Sequence, residues 1–220
     1  SSFPQAFFPS YFHEDGPEAM IKILTDQNDR KILIDKMSEI DYTDPKENVW
    51  THIGDKGDQS FEGWSFKDVA EEWKLSVEEM MCRMMVETSL CCGMRVAPPG
   101  NVRLWRQVEE DVMSLMARTD YMVGSDSIPV GGMPHPRAYG CFVRLVGRLR
   151  RRYNYPLEQI VQRMTQNPAE RFGLTDRGVI RKDKFADLVI FDEKNVTDRS
   201  SFEDPALHPE GVPYVIVNGE

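Results

Sequence analysis

Residues Tyr121 to Arg137 read YMVGSDSIPVGGMPHPR. Tyr121, Met122 and Val123 form an apolar run that Gly124 ends, the pattern of a short buried strand. Ser125, Asp126 and Ser127 follow at once. A carboxylate at the exit of an apolar strand is a costly placement unless it has partners or a task. In α/β architectures the C-terminal ends of strands carry the chemistry. Residues 128–136 hold two glycines and three prolines, which predicts a shaped loop. His135, Pro136 and Arg137 then bring an imidazole and a guanidinium to a helix start. Asp126 is therefore a candidate proton carrier and Arg137 a candidate anion clamp.

Upstream of this stretch, Ser1 to Asp15 is aromatic-rich and reads as a packed loop. Gly16 and Pro17 open two short helices split near Asp26 to Asp29. Val49 to Ile53 reads as a strand. Ser65 caps a helix to about Trp73, and Ser76 caps another with Glu79 at the capping-box position. Met80, Met81, Met84 and Met85 lie on the apolar side of that helix and read as core filler. Leu90 to Val96 reads as a strand, and Asn101 to Ala117 as a helix with Leu104, Trp105, Val108, Val112, Leu115 and Met116 on its apolar side.

Downstream, residues 136–154 read as loop into helix, Leu157 to Thr165 as a helix, and Pro168 as the start of a short one ending near Gly173. From Gly178 the texture changes. Val179-Ile180, Asp187 to Phe191 and Tyr214 to Val217 read as strands. The sequence thus predicts a helix-rich α/β part over residues 1–174 and a β-rich part over 175–220.

The 220 residues are 40% hydrophobic and 29% charged, with a net charge of −9. That balance suits a globular protein with a core and argues against nucleic acid or an anionic membrane as partner. The basic run Arg144 to Arg152 shares a helix with Phe142, Val143, Leu145, Val146 and Leu149, so it reads as a solvated face, with phosphate binding or subunit contact as the lesser alternative. Cys82, Cys91, Cys92 and Cys141 follow no disulfide or zinc-finger spacing, which favours a reduced, cytoplasmic setting. Cys91-Cys92 is a faint metal or redox candidate. No window has the length and hydrophobicity of a membrane span, and no signal peptide is recognisable.

The ordered series GSDS, HPRAYGCFVRLVG, MTQNPAERFGL, DRGVI, ADLVIFD, FEDP and PEGVPYVIVNG resembles the D-aminoacylase, or N-acyl-D-amino-acid deacylase, family of the amidohydrolase superfamily. The likeness is strongest from Met122 to Gly219 and looser over the opening SSFPQAFFPSYFHEDGPEAM. It implies the C-terminal part of a metal-dependent-hydrolase (β/α)8 barrel, including a lid insertion, with part of a small β-sandwich domain. On this likeness Met122 to Gly124 would be the last barrel strand and Asp126 would sit at the barrel mouth. In the family, VNG lies inside a hairpin with more chain after it, so the resemblance implies a portion of a longer protein.

The activity implied is hydrolysis of an N-acyl-D-amino acid by zinc-activated water. Asp126 would be the acid–base and a possible metal contact. Arg137 would take the α-carboxylate of the substrate. His135 would position Arg137 or its loop, a structural histidine being an equal alternative. Ser1 would contact the substrate carboxylate. Two departures stand out. Ser127 occupies a position where the family usually has glycine, which bears on the loop's φ preference. H-x-H is missing, and His13, His52 and His208 lack ligand spacing, so the zinc ligands other than Asp126 are not legible in this chain. A dihydroorotase-like or hydantoinase-like cyclic amidase is the first alternative. A non-catalytic interaction or structural derivative is the second, and an inert segment with exposed strand edges the third.

Overall fold

The computed structural model describes residues 2–37, 45–97 and 100–220. It divides into two compact units. The first holds residues up to 98 together with 128–135, and the second holds 99–127 with 136–220. Leu174 falls inside the second unit.

The first unit is built on an aromatic and methionine core. Its opening segment forms two 3₁₀ turns, Pro4–Phe7 and Ser10–His13, that bury Phe7, Phe8 and Phe12. Helices α1 (Gly16–Thr25) and α2 (Gln27–Met37) follow. Asp26 separates them, because its Oδ1 accepts from the amides of Asn28 and Asp29 and so caps α2. Strand β1 (Val49–Ile53) leads to α3 (Phe66–Trp73) and α4 (Val77–Glu87), and β2 (Cys92–Arg95) returns antiparallel to β1. Trp50 pairs with Met94, and Ile53 with Cys92.

Ser65 caps α3 by accepting from the Asp68 amide at 3.1 Å, and Ser76 caps α4 from the Glu79 amide at 3.2 Å. Met80, Met81, Met84 and Met85 are wholly buried, and Trp50 stacks on Phe66 with centroids 4.3 Å apart. The methionine stripe is therefore core, as its spacing predicts.

The second unit opens with α5 (Val102–Met116), capped by Asn101, whose side chain accepts from the Leu104 amide at 2.8 Å. Helix α6 (Arg137–Arg144) runs through a π turn, Leu145–Leu149, into α7 (Arg150–Arg152). Helices α8 (Leu157–Met164) and α9 (Gln166–Arg171) follow, then a two-stranded antiparallel ribbon of β3 (Leu188–Ile190) and β4 (Tyr214–Ile216). Met113, Met116, Leu145, Leu149 and Ile160 form its core.

Several expectations are corrected. Tyr121 to Val123 joins no ladder. Its polar groups go to helices instead: the Val123 amide donates to the Arg163 carbonyl at 3.1 Å, and the Asn167 side chain donates to the Thr119 and Tyr121 carbonyls, each at 2.8 Å. Val179-Ile180 is not a strand. Helix α5 exposes Leu104, Val108 and Leu115, burying Met113 and Met116.

The arginine run is not a free solvated face either. Arg144 spans Glu109 and Asp198 at 3.7 and 3.6 Å, Arg148 donates to Asp198 at 2.9 Å, and Arg152 pairs with Glu109. Arg150 pairs with Glu193, and Arg151 donates to the Val196 carbonyl. The run ties α5 and the segment around 192–200 to one helix. A cluster of like charges is tolerated there because the acids that neutralise it come from distant sequence.

That helix admits the segment through two glycines one heptad apart. A Cβ on Gly140 would lie 2.4 Å from Ser200 Oγ, and one on Gly147 would lie 2.3 Å from the Val196 carbonyl oxygen. Close backbone approach of this kind is what glycine permits.

Candidate functional site

The exit from residues 121–123 is shaped by backbone conformation. Asp126 takes φ 47°, the left-handed region. Aspartate is among the few side-chain-bearing residues that visit that region readily, because its short polar group bonds locally. Ser125 and Ser127 hydroxyls lie 3.2 Å apart across it, a hydrogen bond that closes the turn. Ser127 itself stays out of the positive-φ region. A side chain is therefore tolerated at Ser127, and the unusual dihedral is carried by its neighbour Asp126.

The turn thrusts the Asp126 side chain into solvent, where it is 87% exposed. Its Oδ2 accepts from Nη2 of Arg137 at 2.8 Å. Arg137 is the first residue of α6, and its side chain is 27% exposed. Pro136 precedes it with helical φ and ψ, and the Pro136 carbonyl accepts from the Gly140 amide at 2.9 Å and from the Ser200 hydroxyl at 2.9 Å. The start of α6 is thus bonded to the 198–200 segment, which fixes where Arg137 begins. Cys141, one turn on, has its thiol pushed up by burial, with the Arg137 charge opposing.

Asp126 and Arg137, eleven positions apart in sequence, are brought together. His135 is half-buried and belongs to the first unit with the rest of 128–135. That segment lies on β1. A Cβ on Gly131 would fall 2.1 Å from the Thr51 carbonyl oxygen, and Gly131 has φ +82°, so only glycine suits the position. The Gly132 amide donates to Glu62 Oε2 at 2.5 Å. Ser1 lies outside the described residues.

Three supporting residues escape a reading of the sequence. Arg163 is only 2% exposed and donates to the Arg118 carbonyl and the Gln162 side chain. With Asn167 it anchors the approach to Asp126. Its signal was available: a guanidinium three positions after Ile160, on the apolar face of α8. The hold of Glu62 on the 128–135 segment carries no local signal, since the Gly132 amide it accepts from is seventy residues away.

Among the described residues no three His, Cys, Asp or Glu side chains gather as a metal-binding group. Asp126 offers a single carboxylate, so the described residues do not fit a metal on their own. No helix of the described residues is long and apolar enough to cross a membrane.

A family model described as amidohydrolase family matches residues 81–220. The chain is 43% identical over 112 residues to a D-aminoacylase of Alcaligenes xylosoxydans xylosoxydans, over 50% of this chain and 23% of that protein. It is 39% identical over 126 residues to an N-acyl-D-glutamate deacylase of the same organism, over 57% of this chain and 26% of the relative. It therefore spans about a quarter of the length of these curated relatives.

Among solved structures, a crystal structure of D-aminoacylase matches with TM-score 0.62 and 30% identity, over 78% of this chain and 33% of that one. An N-acyl-D-glutamate deacylase from Bordetella bronchiseptica, complexed with zinc and a phosphonate mimic of the tetrahedral intermediate, matches with TM-score 0.64 and 28% identity, over 84% and 41%. The mixed helix and strand content of the two units is thus that of an amidohydrolase-type fold. The chain belongs to the amidohydrolase family, on its D-aminoacylase branch.

Proposed function

We propose that this chain supplies the acid–base and the substrate-carboxylate clamp of a metal-dependent N-acyl-D-amino-acid deacylase. The observation that carries the reading is the juxtaposition of Asp126 and Arg137 at an open, strained turn, within the part of the chain that the family model matches. In the whole protein these residues would lie at the mouth of a (β/α)8 barrel, with residues 1–174 belonging to barrel and lid and 175–220 to a small β domain.

Amide hydrolysis needs a group that accepts a proton from the attacking water and returns one to the leaving amine. Asp126 performs both transfers in this proposal. Arg137 presents a planar fork suited to the α-carboxylate of the substrate. In the free state Asp126 occupies part of that fork. An ion pair with one partner this exposed is worth about 1 kcal/mol or less. The arriving substrate carboxylate can therefore displace it and leave Asp126 available for the proton. His135 is proposed to orient the same loop, and Ser1 to add a hydroxyl to the carboxylate.

A divalent metal, zinc as in the Bordetella relative's complex, would polarise the carbonyl and activate the water. Its ligands, beyond a possible contact from Asp126, are assigned to the rest of the protein. A cytoplasmic location fits the four free thiols.

The test is steady-state kinetics of the full-length protein on N-acyl-D-amino acids. Arg137→Ala should raise KM by about tenfold to a hundredfold, the loss of a charge-assisted bond pair. An unchanged KM would contradict the clamp.

A further inference from the structure

The first unit holds a second arrangement of side chains, built around Glu62, which also holds the Gly132 amide. Cys91 lies exposed between α4 and β2, and its sulfur is 3.6 Å from Nε2 of His52 on β1. The opposite ring nitrogen, Nδ1, is 3.7 Å from Oε1 of Glu62, in ion-pair rather than hydrogen-bond range. Glu62 is fixed from two directions. Its Oε1 accepts from the Ile53 amide at 2.8 Å, and its Oε2 from the Gly132 amide. The carboxylate therefore faces the imidazole ring from a fixed position.

The backbone builds the approach of the sulfur. Ser89 and Leu90 both take positive φ, 52° and 67°, at the turn leaving α4. Two consecutive residues of this kind store strain of roughly 1 kcal/mol or more each. The Gly54 amide donates to the Cys91 carbonyl at 2.7 Å, and a Cβ on Gly54 would lie 2.9 Å from Cys91 Cβ. The turn thus presses Cys91 against the end of β1, beside His52. The Lys56 ammonium donates to the Ser89 hydroxyl of that turn at 3.1 Å.

The other thiols are placed differently. Burial pushes the Cys82 and Cys92 thiols up to about 12, and burial raises Cys141 as well. Cys91 alone combines exposure with a base, and that base with a carboxylate behind it. This is the order of groups that activates a thiol nucleophile.

We propose that Cys91, with His52 as its base and Glu62 as the positioning residue, is a thiol–disulfide exchange site that takes low-molecular-weight disulfides. His52 accepts the Cys91 proton as the sulfur attacks one sulfur of the small disulfide. The new S–S bond forms as the old one breaks, and the departing thiolate takes the proton from His52. One thiol and one disulfide become a mixed disulfide and a small thiol, with no other oxidant. The group added would sit against His52, whose neighbour Glu62 holds the Gly132 amide. Modification would therefore reach the 128–135 segment.

The probe is oxidised glutathione, applied to the 220-residue chain at neutral pH and followed by intact mass and peptide mapping. One adduct is expected, on Cys91 and reversed by a thiol reductant. It should form about tenfold or more faster than at Cys91 in the urea-unfolded chain. His52→Ala should bring the rate down to the unfolded value, and added imidazole should recover part of it. Glu62→Gln should slow the reaction less. A native rate no faster than the unfolded one would overturn the proposal, and that comparison needs no variant. Mapping of the adduct to Cys141, or an unchanged rate in a folded His52→Ala chain, would overturn it equally.

Discussion

Gly147→Ala tests how the second unit is held together. Gly147 lies in the π turn between α6 and α7, and an added Cβ would stand 2.3 Å from the carbonyl oxygen of Val196 and 3.2 Å from its carbon. Contacts below 3.0 Å essentially never occur, so Val196 must retreat by about 0.7 Å. Val196 is also crowded by Gly211, whose missing Cβ would lie 2.8 Å from Val196 Cα. Overpacking against backbone costs about 2–3 kcal/mol in such a case. The Arg151 guanidinium donates to the same carbonyl at 2.9 Å, and weakening that half-solvated bond adds about 1 kcal/mol. Alanine returns about 1 kcal/mol through helix propensity.

The net expectation is a destabilisation of roughly 2 kcal/mol, a fall of about 1 M in the urea midpoint. Amide hydrogen exchange over 192–200 should quicken with it. Gly124→Ala is the control, since nothing lies within 4 Å of its added Cβ and its φ is not positive, so its effect should stay within about 0.5 kcal/mol. A Gly147→Ala chain as stable as the parent, or more so, would refute the reasoning.

Further predictions follow from the same segment. Asp198→Asn removes a carboxylate that is 2% exposed and holds Arg144 and Arg148. Both arginines reach solvent, and Arg144 keeps Glu109, so the loss should be about 2 kcal/mol rather than the full cost of a broken buried pair. Thermal unfolding reads it, and an unshifted midpoint would contradict the packing described. The Asp192 carboxyl is held below the usual carboxylate range by the Asn195 side chain and then by the Lys194 amide. A depressed folded value means that its stabilisation of the turn is present above the ordinary carboxylate range and is lost as pH falls through the depressed value. The NMR shifts of the Lys194 and Asn195 amides should report that loss on acidification, and a midpoint at or above the ordinary range would be the contrary result.

Legibility in the sequence followed the range of the interaction. Strand β1, the caps of α3 and α4, the span of α5 and the methionine core depend on neighbours within a few residues, and they stand where the pattern places them. The meeting of Asp126 and Arg137 was legible because one loop joins them. Tyr121 to Val123 misled because apolar residues in extended backbone look the same whether their partner is a strand or, as here, Arg163 and Asn167 on helices. The arginine run misled because Glu109, Glu193 and Asp198 come from far along the chain. The pairing of Glu62 with Gly132 is equally nonlocal.

The account turns on the aspartate at the mouth of the strained turn, and one measurement addresses it most directly: kcat of the full-length protein carrying Asp126→Ala. Because the side chain is exposed and its ion pair is weak, the variant should unfold within about 1 kcal/mol of the parent. Its kcat on an N-acyl-D-amino acid should fall by about a hundredfold to ten-thousandfold, the share that a positioned acid–base supplies. A folded Asp126→Ala protein that turns over substrate at the parent rate would contradict the account.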